Sequence, residues 1–272
     1  GELYNTDELR QELIALGAVF ETTCDTEVVL EGYIYWGEEC VTRFNGIFAF
    51  AVWEHKKERL WLARDRMGVK PLFYAETEDG FTFASDINSI LQNPDVPREI
   101  DLTGLSELIL MMPGRTAGYG VFRTVREFVR AECGYYDKTG LHKKIYWKLK
   151  ARPHTDNIEQ TAERVRFLVE DSITRQLVSD VPVGTFLSGG LDSSIISSVA
   201  ARSFRKKGIK LPTFSLDYKS NDRYFQKSKF QPTSDSEFIG DMAEYLESES
   251  FITALDTPEL AAALVPAMEA RG

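Results

Sequence analysis

Histidine and cysteine are scarce, with three of each in 272 residues. Cys24, Cys40 and Cys133 are odd in number and far apart, no CxxC pair occurs, and His55, His142 and His154 form no cluster. That pattern argues against a disulfide framework and against a thiolate or imidazole metal site. Each cysteine reads as a small core or surface residue, and the expectation is a reducing, cytoplasmic compartment. Long apolar runs are missing too: no stretch approaches the ~20 residues of a membrane span, and no signal-peptide pattern is visible. Positive charge is in deficit. Lys and Arg number 32 against 42 Asp and Glu, a net −10, which argues against nucleic acid or a membrane surface as a partner. Neither an internal repeat nor a low-complexity run occurs.

What is present suffices for packed cores: 43% of residues are hydrophobic and 12% aromatic, over a length that suggests two domains. The chain opens on GELYNTDELRQEL, already inside a structured pattern, and closes on TPELAAALVPAMEARG, so a piece of a longer protein is expected. Leu9, Leu13, Ile14 and Leu16 mark a helix over 6–16, with Thr6 as its N-cap and Gly17 as its end. A second helix has Asp25 or Thr26 as its cap and stops at Gly37. Then the period changes to two. Residues 47–53 and 59–63 form one hairpin, and KPLFYAETEDGFTFAS forms another, turning at Glu78-Asp79-Gly80. Four consecutive strands predict one antiparallel sheet, followed by short helices at 86–91 and 101–110 and strands near 120–123, 132–137 and 144–148. This first part, 1–150, is α+β.

LKARPHTDN, residues 149–157, is the linker. Thr155 or Asp156 caps a long amphipathic helix over 157–178. Buried strands in VPVGTFL, LPTFSLDY and SFITALD then alternate with helices at 193–204, 235–247 and from 258, which means a parallel sheet. The second part, 151–272, is therefore α/β. Residues 219–234 are a polar loop long enough to be functional or mobile.

One stretch asks for a chemical explanation. In FLSGGLDSSIISSVA, residues 186–200, an apolar strand stops at Ser188-Gly189-Gly190, and a helical pattern begins beyond Asp192-Ser193-Ser194. The glycines leave the backbone bare, the helix start adds N–H groups and the positive end of a dipole, and the serines add hydroxyls. That is an anion cradle, with phosphate as its ligand. Asp192 would repel a bare phosphate but suits one bridged by Mg²⁺. Neither GxxxxGK[ST] nor GxGxxG is present. Without a ligand, the same residues make a plain Gly/Ser strand–helix turn.

The spacing SGGxDS resembles the pyrophosphate loop of the N-type ATP pyrophosphatases. SDVPVGTFLSGGLDSS resembles the glutamine-hydrolysing asparagine synthetase family more closely, and GELYN, CDTEVVL, FNGIFAFAVWE and ARDRMGVKPLFY resemble its N-terminal nucleophile (Ntn) glutaminase domain. The similarity runs over nearly the whole chain. It implies an Ntn-hydrolase-like sandwich followed by an ATP-pyrophosphatase domain, each incomplete. The family hydrolyses glutamine and passes ammonia to a site where ATP adenylates aspartate. Ammonia then displaces AMP to give asparagine. Glutamine, aspartate and ATP are thus the implied substrates, ATP and Mg²⁺ the implied cofactors, and a homodimer the implied assembly.

By resemblance, Leu187, Ser188, Gly189, Gly190, Leu191, Asp192, Ser193, Ser194 and Leu216 bind ATP, and Asp192 ligates Mg²⁺. Leu187 and Leu216 read equally as core strand residues, and Leu216 stands where the family more often has Val. Gly1, Glu2 and Asp25 match the glutamine site: an oxyanion-hole glycine and two carboxylates for the α-ammonium. Asp25 reads equally as a helix cap, and Glu2 alone as a surface carboxylate. ARDRMGVKPLFY reads as structural. Departures from the family pattern limit the expectation. The chain begins with Gly1 where the family begins with the nucleophilic Cys, Cys24 cannot supply both a thiol and a terminal amine, and a second motif of the SGEGAD type is absent. The 272 residues alone are expected to be weakly active or inactive. A β-lactam-synthetase-like enzyme, another amidotransferase and a nucleotide-binding scaffold are the alternatives.

Overall fold

A computed structural model of the chain describes residues 1–78, 80–111, 114–219, 225, 229 and 235–271. The chain separates into two compact units, Gly1–Arg152 and Pro153–Arg271.

In the first unit, helices α1 (Thr6–Ala15) and α2 (Asp25–Trp36) lie against a four-stranded antiparallel sheet. Its strands are β3 (Ala49–Glu54), β4 (Arg59–Arg64), β8 (Glu132–Asp137) and β9 (Gly140–Ile145), in the order β3-β4-β8-β9. A second antiparallel sheet has the order β6-β5-β7, from β5 (Phe73–Thr77), β6 (Gly80–Ala84) and β7 (Val125–Glu127). Strand alternation explains the layering, because successive side chains take opposite faces. On β4, Trp61 and Ala63 join the cluster of Leu9, Leu13, Val28 and Phe44 from the helical layer. Leu62 points the other way and meets Tyr74 of the second sheet with Leu72 and Phe128, which flank its strands β5 and β7. On β5, Tyr74 faces the first sheet, while Phe73 and Ala75 pack on Ile90 and Leu91 at the short helix α3 (Ile87–Ile90). The unit is a helix–sheet–sheet–helix sandwich, as the α+β reading required.

The four consecutive strands do not form one sheet. Asp65, 1% exposed, is the reason. Its carboxylate accepts the N–H groups of Phe48, Met67, Val69 and Lys70 at 2.9–3.3 Å, turning the chain out of the first sheet and into the second. Asn5, not Thr6, is the N-cap of α1, and Thr6 instead donates its hydroxyl to the Leu3 carbonyl. The strand expected at 144–148 runs from Gly140 to Ile145, because Asp137 accepts from the amide and hydroxyl of Thr139 and closes a hairpin there. The helix expected at 101–110 begins as α4 (Leu102–Ser106), and the strand expected at 120–123 lies at Val125–Glu127. Asp79, in the expected turn of the second hairpin, lies outside the described residues.

The second unit opens with α5 (Ile158–Arg175), whose capping box pairs Asn157 with Gln160 in place of a cap at Thr155 or Asp156. Its sheet holds β10 (Thr185–Phe186), β11 (Pro212–Tyr218) and β12 (Glu249–Leu255), adjacent in that order and all parallel. Between them run α6 (Leu191–Lys206) and α7 (Asp235–Leu246), and α8 (Thr257–Arg271) follows β12. β10 is shorter than VPVGTFL suggested, since Pro182 has no N–H to donate. Ala200, Ala201, Leu211 and Leu246 form the apolar cluster. The loop read at 219–234 lies almost wholly outside the described residues.

Candidate functional site

The glycine–serine stretch occupies the turn from β10 into α6, beyond the carboxyl end of a parallel strand, where open α/β sheets bind ligands. Gly189 has φ 78°, a conformation that costs a side-chain-bearing residue about 1–2 kcal/mol. Gly190 caps α6 without a side-chain hydrogen bond, so the first-turn N–H groups keep no side-chain cap. The serines close a ring. Ser193 Oγ donates to the Gly190 carbonyl at 3.1 Å and accepts from the Ser188 N–H at 3.2 Å. With that proton committed, the Ser188 hydroxyl is the donor across the 3.0 Å contact with Ser193 Oγ. Ser188 Oγ also accepts the Gly190 N–H at 3.4 Å. Donors and hydroxyls are gathered around a bend of bare main chain, which is the arrangement an anion needs.

Ser188, Leu191 and Asp192 are exposed, while Gly189, Ser193 and Ser194 are half-buried. Leu187 is 1% exposed, so the core-strand reading holds for its side chain and only its main chain is left to meet a ligand. Leu216 is 59% exposed, on the same face of the sheet as Phe186, Phe214 and Phe251. Among the described residues no three His, Cys, Asp or Glu side chains gather as a metal cage. Asp192 as a single carboxylate beside a phosphate loop nevertheless fits Mg²⁺, which is held by one or two carboxylates and the substrate phosphates.

The other predicted residues converge in the first unit. Strand β1 (Glu2–Leu3) pairs antiparallel with β2 (Gly46–Ile47), Glu2 opposite Ile47 and Leu3 opposite Gly46. A Cβ at Gly46 would lie 2.2 Å from the Glu2 carbonyl oxygen, so this approach admits only glycine. Asp25 is the first residue of α2, and its Oδ2 accepts the Leu3 N–H at 3.1 Å. The structure thus ties Asp25 to the strand of Glu2, directly after Gly1. Asp25 does not cap α2; Cys24 occupies the cap position, with its Sγ 3.7 Å from Asp25 Oδ1.

Sequence reasoning missed the groups that hold these parts in place. Asn5 accepts the Asn45 N–H at 2.9 Å and donates to the Arg43 carbonyl at 3.0 Å, clamping the end of β1. In the second unit, buried Thr185 and Ser197 share a hydroxyl bond of 2.8 Å between β10 and α6, and buried Ser215 donates to the Leu187 carbonyl at 2.6 Å. Asparagine before a helical pattern was a usable cap signal; isolated serines and threonines in strands carried none. Arg64 in ARDRMGVKPLFY pairs with Glu127 at 2.8 Å and donates to the carbonyls of Lys70 and Gly68, consistent with the structural reading. A cleft of about 820 Å³ opens along this segment beside Arg66, Arg115, Arg130 and Trp147, and none of the predicted site residues lines it.

Residues 1–147 match the family model described as the glutamine amidotransferase domain, and residues 164–272 match the one described as asparagine synthase. The chain is similar to asparagine synthetase [glutamine-hydrolyzing] 3 of Bacillus subtilis (strain 168), with 51% identity over 90% of this chain and 40% of that one. It is also similar to asparagine synthetase [glutamine-hydrolyzing] 1 of the same organism, with 36% identity over 80% and 34%. The chain therefore spans less than half the length of these relatives. Among solved structures it overlaps a glutamine phosphoribosylpyrophosphate amidotransferase from B. subtilis, complexed with ADP and GMP, with a TM-score of 0.40 and 13% identity over 93% of this chain and 59% of that one.

Proposed function

The chain belongs to the family of the glutamine amidotransferase domain, and on that premise we propose that it acts in ATP-dependent synthesis of asparagine from aspartate with glutamine as nitrogen donor. The glutaminase part is assigned to residues 1–150 and the synthetase part to 151–272. The observation that carries the proposal is the bend at Ser188–Ser194, with Gly189 at φ 78° and the start of α6 directly behind it.

In this reading the bend holds the β- and γ-phosphates of ATP while the side-chain carboxylate of aspartate attacks the α-phosphorus. The products of that step are β-aspartyl-AMP and diphosphate, and ammonia then displaces AMP. Main-chain N–H groups of 188–194 and the hydroxyls of Ser188, Ser193 and Ser194 orient the departing diphosphate. They stabilise the charge that develops on it because they are fixed before it arrives. Asp192 would hold Mg²⁺, which neutralises phosphate charge when bound. Leu216 supplies an exposed apolar contact for the nucleotide, and Leu187 contributes through its main chain. In the first unit Glu2 and Asp25 pair with the α-ammonium of glutamine, selecting the free amino acid over a peptide. Gly1 offers a main-chain N–H to the developing oxyanion.

Titration with ATP, with and without Mg²⁺, tests the loop. Asp192→Ala is expected to remove the Mg²⁺-dependent part of the affinity, about tenfold or more. Identical titrations for the two proteins would refute the role of Asp192. Assaying diphosphate release by the native protein against a panel of carboxylic acids tests the acceptor. Aspartate should trigger release; release with a different acid alone would favour a β-lactam-synthetase-like enzyme.

A further inference from the structure

The inner face of the parallel sheet is unusually polar. Strands buried between layers are ordinarily Val-, Ile- and Leu-rich, yet Thr185, Thr213 and Ser215 are all buried, as is Ser197 on α6. Each hydroxyl has a partner. Thr185 meets Ser197 at 2.8 Å, Thr213 meets Ser248 at 3.0 Å, and Ser215 donates to the main-chain carbonyl of Leu187 at 2.6 Å. Two of these bonds join side chains. The third ends on the peptide group that leads into the bend.

Leu187 is held through both of its main-chain groups. The ladder between β10 and β11 pairs Thr185 with Thr213 and Phe186 with Phe214, and the Leu187 N–H donates to the Phe214 carbonyl at 2.8 Å. One step on, the Leu187 carbonyl takes the hydroxyl of Ser215. A trans peptide is planar, with its C=O and the following N–H pointing in opposite directions. Drawing the Leu187 carbonyl inward onto buried Ser215 therefore sets the Ser188 N–H outward, where it meets Ser193 Oγ at 3.2 Å.

We propose that Ser215 is a positioning residue for the diphosphate site. It touches no ligand itself; it fixes the Leu187–Ser188 peptide so that the Ser188 N–H faces the bend, where the bound anion replaces Ser193 Oγ as its acceptor. The inference rests on the diphosphate reading of the bend. It predicts that affinity for diphosphate depends on a hydroxyl buried behind the loop, and depends on that hydroxyl more than on its buried neighbours.

The test is titration of the 272-residue chain with magnesium pyrophosphate, beside thermal unfolding of each variant. Ser215→Ala is expected to weaken binding about tenfold, the scale of one hydrogen bond to a charged group. Ser215→Thr, which restores a donor, should recover most of that loss. Thr213→Val is the control: it removes an equally buried hydroxyl whose partner Ser248 retains the Ala243 carbonyl at 3.4 Å, and it should bind like the unmodified chain. Wild-type affinity in Ser215→Ala, or an equal loss in Thr213→Val, overturns the inference and leaves the diphosphate reading standing. Absence of binding by the folded, unmodified chain overturns both. Should Ser215→Ala not fold, the Ser188 amide resonance of the unmodified chain decides: a saturable downfield shift with pyrophosphate supports the aimed N–H, and no shift overturns it.

Discussion

The two units bury their sequence differently. The first wraps aromatic side chains inside paired layers: Trp61, Phe44 and Phe128 are at most 1% exposed, and Phe44, Phe48, Phe50 and Trp61 form a continuous ring cluster. The second assembles its core from alanines and leucines, lines the inner sheet face with hydroxyls, and leaves Phe186, Phe214 and Phe251 in a row on the outer face. Phe186 is 82% exposed. What differs is whether both faces of a sheet are covered, which sets how much apolar surface leaves water. In the first unit, hydrogen bonds from Asn5 and Asp25 clamp β1 against a core rich in buried aromatic rings. In the second, hydrogen bonds of Thr185, Ser197 and Ser215 hold the bend beside a much smaller apolar cluster.

The strongest way to break this contrast is to hollow each core in turn. Trp61→Ala should destabilise the first unit by about 3–5 kcal/mol and Leu211→Ala the second by about 2 kcal/mol, read by urea unfolding. Equal losses would show that the two cores are alike. A smaller effect comes from acid. Glu54 lies between layers, accepting from Tyr33 of α2 at 2.7 Å and pairing with Lys57 at 2.7 Å and with Arg59. Burial pushes its carboxyl up, but the bonds from Lys57, Tyr33 and Arg59 outweigh burial and hold it below its ordinary 4.5. A carboxyl lowered in the folded state stabilises fully above the ordinary value and loses that contribution as pH falls through the lowered one. The urea midpoint of the first unit should therefore drop below pH 4.5, and Glu54→Gln should flatten the drop. Matching pH profiles would remove Glu54 from the account.

The mildest test perturbs nothing. All three cysteines lie in the first unit: Cys24 is exposed, whereas burial pushes the thiols of Cys40 and Cys133 up to about 12. One thiol should react with Ellman's reagent in the native protein and three after unfolding. In rising urea, helicity should fall before the second and third thiols appear, because the less densely packed unit opens first. Simultaneous change would contradict the ranking drawn from the cores.

Much of the fold was legible because it rests on local chemistry. Gly37 ended α2 with φ 58°, the hairpin around 55–58 followed a period-two pattern, and three strands alternating with helices gave a parallel sheet, although Glu249–Leu255 is exposed rather than buried as expected. Asp65 shows what stayed hidden. Its carboxylate collects four main-chain amides and splits consecutive strands between two sheets, and an aspartate in a mixed-charge segment gives no sign of that. Ser215 is a second case. A serine inside a strand pattern is unremarkable until the strand beside it brings a carbonyl within 2.6 Å.

Sequence by itself determined the order of the elements, the bare bend after Leu187 and the residue types gathered there, because glycine conformation, helix starts and side-chain period act over a few neighbours. Only the tertiary structure decided that Asp25 reaches the strand of Glu2, that Leu187 faces inward while Leu216 faces out, and that Ser215 grips the peptide before the bend. Those contacts join residues 22 and 28 positions apart, and their distances are set by how layers and strands pack.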